Sequence, residues 1–245
     1  MGDTGNHLWL TSAITDDDVA KALTLCFSLK RTLTSRKIAV VTSKEVSSPL
    51  RNALRHGFDF LFNLEEYEKP TRLRMEDYAK LYALTLKSFE KVVYLKPSML
   101  AIKNLDEIFN VHGETIRTFE WAEGAVSLLL IRPSLETFMV LIKELETRNG
   151  YVNCELESYL KTRTNFQNKG NIGALKGKYN RLMSDMAVVG DEMEISIIDL
   201  GDIPVHVDFE KCGLMAKLIL QERKKIYCET VYPLIEFAGK VRFTF

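Results

Sequence analysis

The stretch from Lys91 to Phe109, KVVYLKPSMLAIKNLDEIF, decides how this chain is read. Val92, Val93, Tyr94 and Leu95 form an apolar run without a polar break, the pattern of a strand buried on both faces. Lys96-Pro97-Ser98 interrupts it as a short turn, because proline fixes its own backbone and brings no N–H donor. A second apolar run follows, then Asn104-Leu105-Asp106-Glu107-Ile108-Phe109, where Asp106 and Glu107 read as the acidic first turn of a helix.

Upstream, strand and helix patterns alternate. His7 to Ala13 reads as a buried strand. Thr15-Asp16-Asp17-Asp18 supplies a cap and first-turn negative charge for a helix with Val19, Ala22 or Leu23, Cys26, Leu29 and Leu33 on its apolar face. Lys37 to Thr42 is a second strand and Pro49 to His56 a second helix. Phe58 to Leu64 is a third strand, and Met75 to Phe89 a third helix. Alternating units of this kind predict an α/β fold with a mostly parallel central sheet flanked by helices. Downstream, Ala125 to Ile131 reads as a strand and Leu135 to Glu146 as a helix. Asn153 to Thr162 is helical, 163–178 a polar loop, and Glu194 to Leu200 a strand. Phe209 to Lys225 is a helix with Leu214, Leu218 and Gln221 or Glu222 in register. No repeat or linker breaks the chain. One domain, 1–245, is expected, with a core over about 7–206 and a helical tail over about 207–245.

Composition narrows the function. With 33 basic against 33 acidic residues, no global field favours nucleic acid or an anionic membrane. No apolar stretch approaches the ~20 residues that span a bilayer. The first residues lack the basic and apolar regions of a signal peptide, and Asn6 stands where myristoylation wants Ser or Thr. Cys26, Cys154, Cys212 and Cys228 are scattered, as reduced thiols are, and a cytoplasmic location is expected. No glycine-rich phosphate loop follows any strand, which argues against dinucleotide enzymes and P-loop NTPases.

The segment around Lys91 to Phe109 resembles the strand-turn unit of the glycogenin branch of glycosyltransferase family 8, roughly V-V-Y-L-D-A-D-T-L-V-L-x-N-I-D-E-L-F. Further matches follow in order. Trp9 to Leu29 resembles the family's opening strand and helix, and Lys80-Leu81-Tyr82 its T-K-L-x-x-W. Gly124 to Ser134 resembles N-S-G-V-F-V-Y-x-P-S, Tyr179-Asn180 a Tyr-Asn pair, and Leu200-Gly201 the end of V-V-H-F-L-G. The resemblance runs from about His7 to about His206. It implies a Rossmann-like nucleotide-sugar transferase fold of the GT-A type.

In that family the Asp-x-Asp holds Mn2+ against the diphosphate of a UDP-sugar. Here Lys96-Pro97-Ser98 stands in its place, and the third ligand, a histidine, aligns with Ile198. The tyrosine that stacks on uracil is Asp18, the phosphate-binding lysine falls at Pro204, and the Asn-Ser before glycine is Ala122-Glu123. Lys80 is the one polar donor-site contact that matches. Mn2+ wants hard oxygen ligands with imidazole tolerated, and Lys96, Ser98 and Ile198 supply no such set. No metal and no cofactor are therefore expected. The interval from Arg181 to Glu194, where glycogenin carries its self-glucosylated tyrosine, contains none; Tyr151, Tyr159 and Tyr179 lie outside it.

Bland readings stand beside each of these. Lys96 is either a cation for a diphosphate or a solvated lysine at a turn. Lys80 is either a ligand contact or a lysine snorkelling along an amphipathic helix. Asp16, Asp17 and Asp18 read as a helix cap rather than a metal site, and Glu123 is a weak general acid or base without a partner carboxylate. The expectation is a pseudo-glycosyltransferase, not an enzyme, that binds no UDP-sugar and serves as a cytoplasmic scaffold. A protein partner, with a homodimer implied by the resemblance, goes with that reading. Two alternatives stay open: an active, metal-independent UDP-sugar transferase using Lys96 and Lys80, or a nucleotide or sugar sensor.

Overall fold

The computed structural model describes residues 5–66, 73–111, 116–118, 128–147, 181–182, 197–199 and 214–240. The first strand, β1 (His7–Ala13), is buried along its whole length, its polar residues His7, Thr11 and Ser12 included. It lies between two parallel neighbours, β2 (Lys37–Thr42) and β4 (Lys91–Leu95). Beyond β2 lies β3 (Phe60–Asn63), also parallel. Beyond β4 come β7 (Leu128–Ile131) and β6 (Ile116–Thr118), both antiparallel, giving the order β3-β2-β1-β4-β7-β6. The mostly parallel α/β sheet is thus the one the sequence pattern predicts.

Alternation along the strands sorts side chains to two cores. Trp9, Val40 and Val93 face α1 (Asp16–Arg31) and α2 (Ser48–Gly57), while Leu8, Leu10, Val92 and Tyr94 face α3 (Met75–Tyr82) and α4 (Leu135–Thr147). On α1 the buried residues include Val19, Ala22, Leu23, Cys26 and Leu29, as the periodicity predicts. Leu33 departs from it. The helix ends at Arg31, and Leu33 sits beyond it at φ 59°, 84% exposed.

Three further element expectations are corrected. The third helix stops at Tyr82 and passes into a tight turn over Ala83–Thr85, instead of running to Phe89. Thr85 Oγ1 donates to the Tyr82 carbonyl at 2.8 Å, and Glu90 N–H donates to the Asn6 carbonyl at 2.8 Å. Those bonds bring the chain round so that Lys91 lies opposite His7 in β4. The C-terminal helix does not end at Lys225. It forms α5 (Leu214–Ile226), a wide turn over Tyr227–Val231, and α6 (Tyr232–Lys240). Its inward residues are Ile219, Leu220, Arg223 and Ile226, whereas Leu218 is 51% exposed. The expected helix over Asn153 to Thr162 and the loop after it lie outside the described residues, as do 125–127 of the expected strand.

A smaller sheet joins β5 (Met99–Ala101), β9 (Ile197–Asp199) and β8 (Arg181–Leu182). Among the described residues, no helix is long and apolar enough to cross a membrane.

Candidate functional site

The strand order reverses between β1 and β4, because the chain runs from β1 out to β3 before returning to the other side of β1. In open α/β sheets, ligands bind in the crevice outside the carboxyl ends of the strands at such a point. Its floor here is polar and tied together. Thr11 Oγ1 donates to the Leu95 carbonyl at 2.8 Å, and the Ser12 hydroxyl and Tyr94 phenol share a hydrogen bond at 2.9 Å. Burial raises the Tyr94 pKa; the positive charge of Lys80 and the Ser12 hydrogen bond pull partly the other way.

Lys80 enters this floor from α3. Its side chain is 8% exposed, and Nζ donates to Asp77 Oδ1 at 3.2 Å. Asp77 is fully buried, and its second oxygen accepts from Arg74 Nε at 2.9 Å. Arg74, Asp77 and Lys80 follow one another at three-residue steps, which places neighbours on the same side of a helix. A snorkelling lysine would carry its ammonium to water, and this one does not. Burial argues against the snorkelling reading, and the ammonium is paired with Asp77 of its own helix.

Across the crevice, the first turn of α1 behaves as a cap. Asp18 Oδ2 accepts from Ile14 N–H at 3.1 Å, Thr15 N–H at 3.0 Å and Thr15 Oγ1 at 3.2 Å. Asp16 accepts from the Ser47 N–H at 2.7 Å and ties the next loop down. These acids hold backbone, as the sequence implies. At the end of β4 the turn is closed by Met99 N–H donating to the Lys96 carbonyl at 3.0 Å; Lys96 is half-buried and Ser98 buried.

Antiparallel pairing of β5 with β9 sets Leu100 opposite Ile198 and Met99 opposite Asp199. The backbone therefore brings Ile198 beside the strand that leaves the Lys96-Pro97-Ser98 turn. The residue types do not fit Mn2+: an ammonium, a proline, one hydroxyl and an isoleucine offer a single neutral oxygen. Among the described residues, no three His, Cys, Asp or Glu side chains come together as a metal site. Pro204 and Glu123 lie outside the described residues, as do Tyr151, Tyr159 and Tyr179.

Sequence reasoning missed Asp77. The spacing Arg74-x-x-Asp77-x-x-Lys80 was its available signal. It also took Asp106 for a helix-start acid. The residue does open the short helical turn Asp106–Asn110, but its carboxylate binds Thr34 and Ser35 instead. Elsewhere, a cavity of about 550 Å³ lies between the carboxyl end of α1, β5 and α5, lined by Ser28, Arg31, Ala101 and Ile219.

No family profile matches the chain. In sequence it is 29% identical over 157 residues to glycogenin-1 of Caenorhabditis elegans, covering 60% of this chain and 37% of that protein. It is 30% identical over 140 residues to glycogenin-1 of Oryctolagus cuniculus, covering 52% of this chain and 42% of that one. The chain thus spans about two fifths of these relatives. In structure it matches the glycosyltransferase GlyE of Streptococcus pneumoniae TIGR4 with a TM-score of 0.64 at 16% identity, over 94% of this chain and 64% of that one. The expectation of a chain that is not an enzyme is corrected here. Its sequence relatives are glycogenins, which are enzymes. From the ordered sequence matches and the sheet with its β1/β4 crevice, the chain is glycogenin-like and carries the GT-A glycosyltransferase fold.

Proposed function

We propose that this chain is a glycosyltransferase that takes its sugar from a nucleoside diphosphate donor and meets the diphosphate with side-chain cations rather than carboxylate-held metal. The observation that carries the reading is the buried Lys80 ammonium at the β1/β4 crevice, joined through Asp77 to Arg74. Lys96, just past the end of β4, brings a second ammonium. Together they oppose the two negative charges of a sugar-linked diphosphate.

During transfer the bond between the sugar anomeric carbon and the β-phosphate oxygen breaks, and its electron pair stays on the phosphate. An acceptor hydroxyl oxygen forms the new bond and gives up its proton. Fixed cations aimed at the leaving oxygen stabilise that developing charge and need no reorganisation. The likeness to glycogenins supports UDP-glucose as the first donor to test.

The experiment is UDP release from UDP-glucose with excess EDTA, with and without simple sugar acceptors. Turnover is expected in EDTA, and Lys80→Met is expected to lower it by about 100-fold or more. Turnover that requires Mn2+, turnover untouched by Lys80→Met, or no turnover of any nucleotide sugar would each overturn the proposal.

A further inference from the structure

We propose that the cavity between α1, β5 and α5 binds a small soluble amphipathic anion, an apolar body ending in a carboxylate or phosphate; this does not rest on the transferase reading. At about 550 Å³ the cavity falls in the range that holds a small organic molecule. It lies at the far end of α1 from the crevice, with about 20 Å of helix between them. Its inner wall is apolar. Leu100 and Ala101 come from β5, Ile219 and Ile226 from α5, and all four are buried. Ile102 and Leu218 also line it and are 39% and 51% exposed, so it opens to solvent where these two stand.

The polar atoms inside are already engaged. The Ser28 hydroxyl donates to the Leu25 carbonyl at 2.7 Å and accepts from the Ala101 N–H at 3.0 Å, and Thr32 Oγ1 donates to the Leu29 carbonyl at 2.8 Å. Water there finds few partners, whereas an apolar body covers Leu218 and Ile102 and is favoured by the hydrophobic effect. No aromatic ring is among the described residues that line the cavity, so it offers no face on which a nucleobase stacks. The charges at the mouth select the head group. Among the described lining residues, Arg31 and Lys103 stand against one acid, Glu222, and Arg31 Nη2 lies 2.8 Å from Glu222 Oε1. That contact leaves other N–H groups of the guanidinium for a second acceptor, and Lys103 is exposed with no ion pair among the described residues. The carbonyls at the end of α1 would oppose an anion, but they accept from the Thr32 and Leu33 N–H groups and from Asn104 Nδ2.

The test is calorimetric titration with octanoate and with its uncharged match 1-octanol, each below the concentration at which it aggregates and without nucleotide sugar. Octanoate is expected to saturate a single site, and 1-octanol to bind about tenfold more weakly, because it lacks the charged hydrogen bonds. Lys103→Glu should weaken octanoate by about tenfold and leave 1-octanol unchanged, while Leu218→Asp should weaken both. Met139→Asp, at an exposed residue of α4 that does not line the cavity, should change neither. All three positions are exposed, and circular dichroism checks folding. If Leu218→Asp does not fold, Lys103→Glu decides. Octanoate that does not saturate, binding that Lys103→Glu leaves unchanged, or an equal loss in Met139→Asp would each overturn the proposal. Binding to vesicles of an anionic phospholipid without binding of free octanoate would overturn it in favour of a membrane surface. None of these outcomes touches the transferase reading, since no sugar donor takes part.

Discussion

Asp106 and Ser35, 71 positions apart, meet through two hydrogen bonds. The Ser35 N–H donates to Asp106 Oδ2 at 2.8 Å, and the Ser35 hydroxyl donates to the same oxygen at 2.9 Å. The other carboxylate oxygen accepts from Thr34 Oγ1 at 2.5 Å and from the Trp9 indole N–H at 3.4 Å. One side chain thus joins the start of β2 and the centre of β1 to the segment that follows β5.

This arrangement separates two acids that look alike in sequence. Asp106→Ala should cost about 2–3 kcal/mol, because charged hydrogen bonds are lost at a partly buried junction. Glu107→Ala, one residue on and exposed, should stay within about 0.5 kcal/mol. Urea unfolding of both variants checks this; equal losses would show that Asp106 acts only as a helix-start charge.

Leu33 holds a left-handed backbone at φ 59° with its side chain in solvent. A residue with a Cβ is strained there by about 1–2 kcal/mol, and glycine is not. Glycine's greater freedom in the unfolded chain offsets part of that gain. Leu33→Gly should therefore raise stability by about 0.5–1 kcal/mol in the same unfolding assay. A loss would mean that the exposed leucine makes contacts worth more than the strain.

Cys26 is buried, with Sγ 3.3 Å from the Gly57 carbonyl, and burial pushes its thiol from 9.0 to about 12. The unfolded thiol ionises near the ordinary value while the native one keeps its proton. Over that window the native state binds more protons, so stability falls as pH rises from about 9 to about 12. Replacing Cys26 with Ala should flatten the fall by up to about 1.4 kcal/mol per pH unit. Denaturant midpoints at a series of alkaline pH values give the slope, and an unchanged slope counts against this origin.

Metal addition and removal should leave the donor site unmoved. With Lys96, Ser98 and Ile198 at the three positions that the resemblance assigns to metal ligands, Mn2+ added with UDP should give the melting temperature that UDP gives alone. The assay is sensitive, since a ligand at ~100 times its dissociation constant adds about 2.7 kcal/mol. A further rise that EDTA reverses would show ligands that these residues do not supply.

Local pattern alone determined much of this protein. The largely apolar runs within His7–Ala13, Lys37–Thr42 and Lys91–Leu95 gave buried strands, because a sheet covered on both faces needs apolar residues pointing both ways. The cap at Thr15 and Asp18 was equally legible, since its bonds span at most four residues. Lys80 could be singled out by resemblance, but whether it was buried could not. That was decided by α3 packing on β1 and β4 and by Asp77 coming with it. The inward face of α5 was misread for a related reason: Leu218 fits the helical period, yet the neighbours that pack against the helix select Ile219 and Ile226. The antiparallel partners β7 and β6, the β5–β9 pairing that carries Ile198 toward the turn, and the Asp106 junction all join residues far apart in the chain. No spacing rule specifies such contacts, because their energy comes from burial and hydrogen bonds that exist only once the whole sheet has formed.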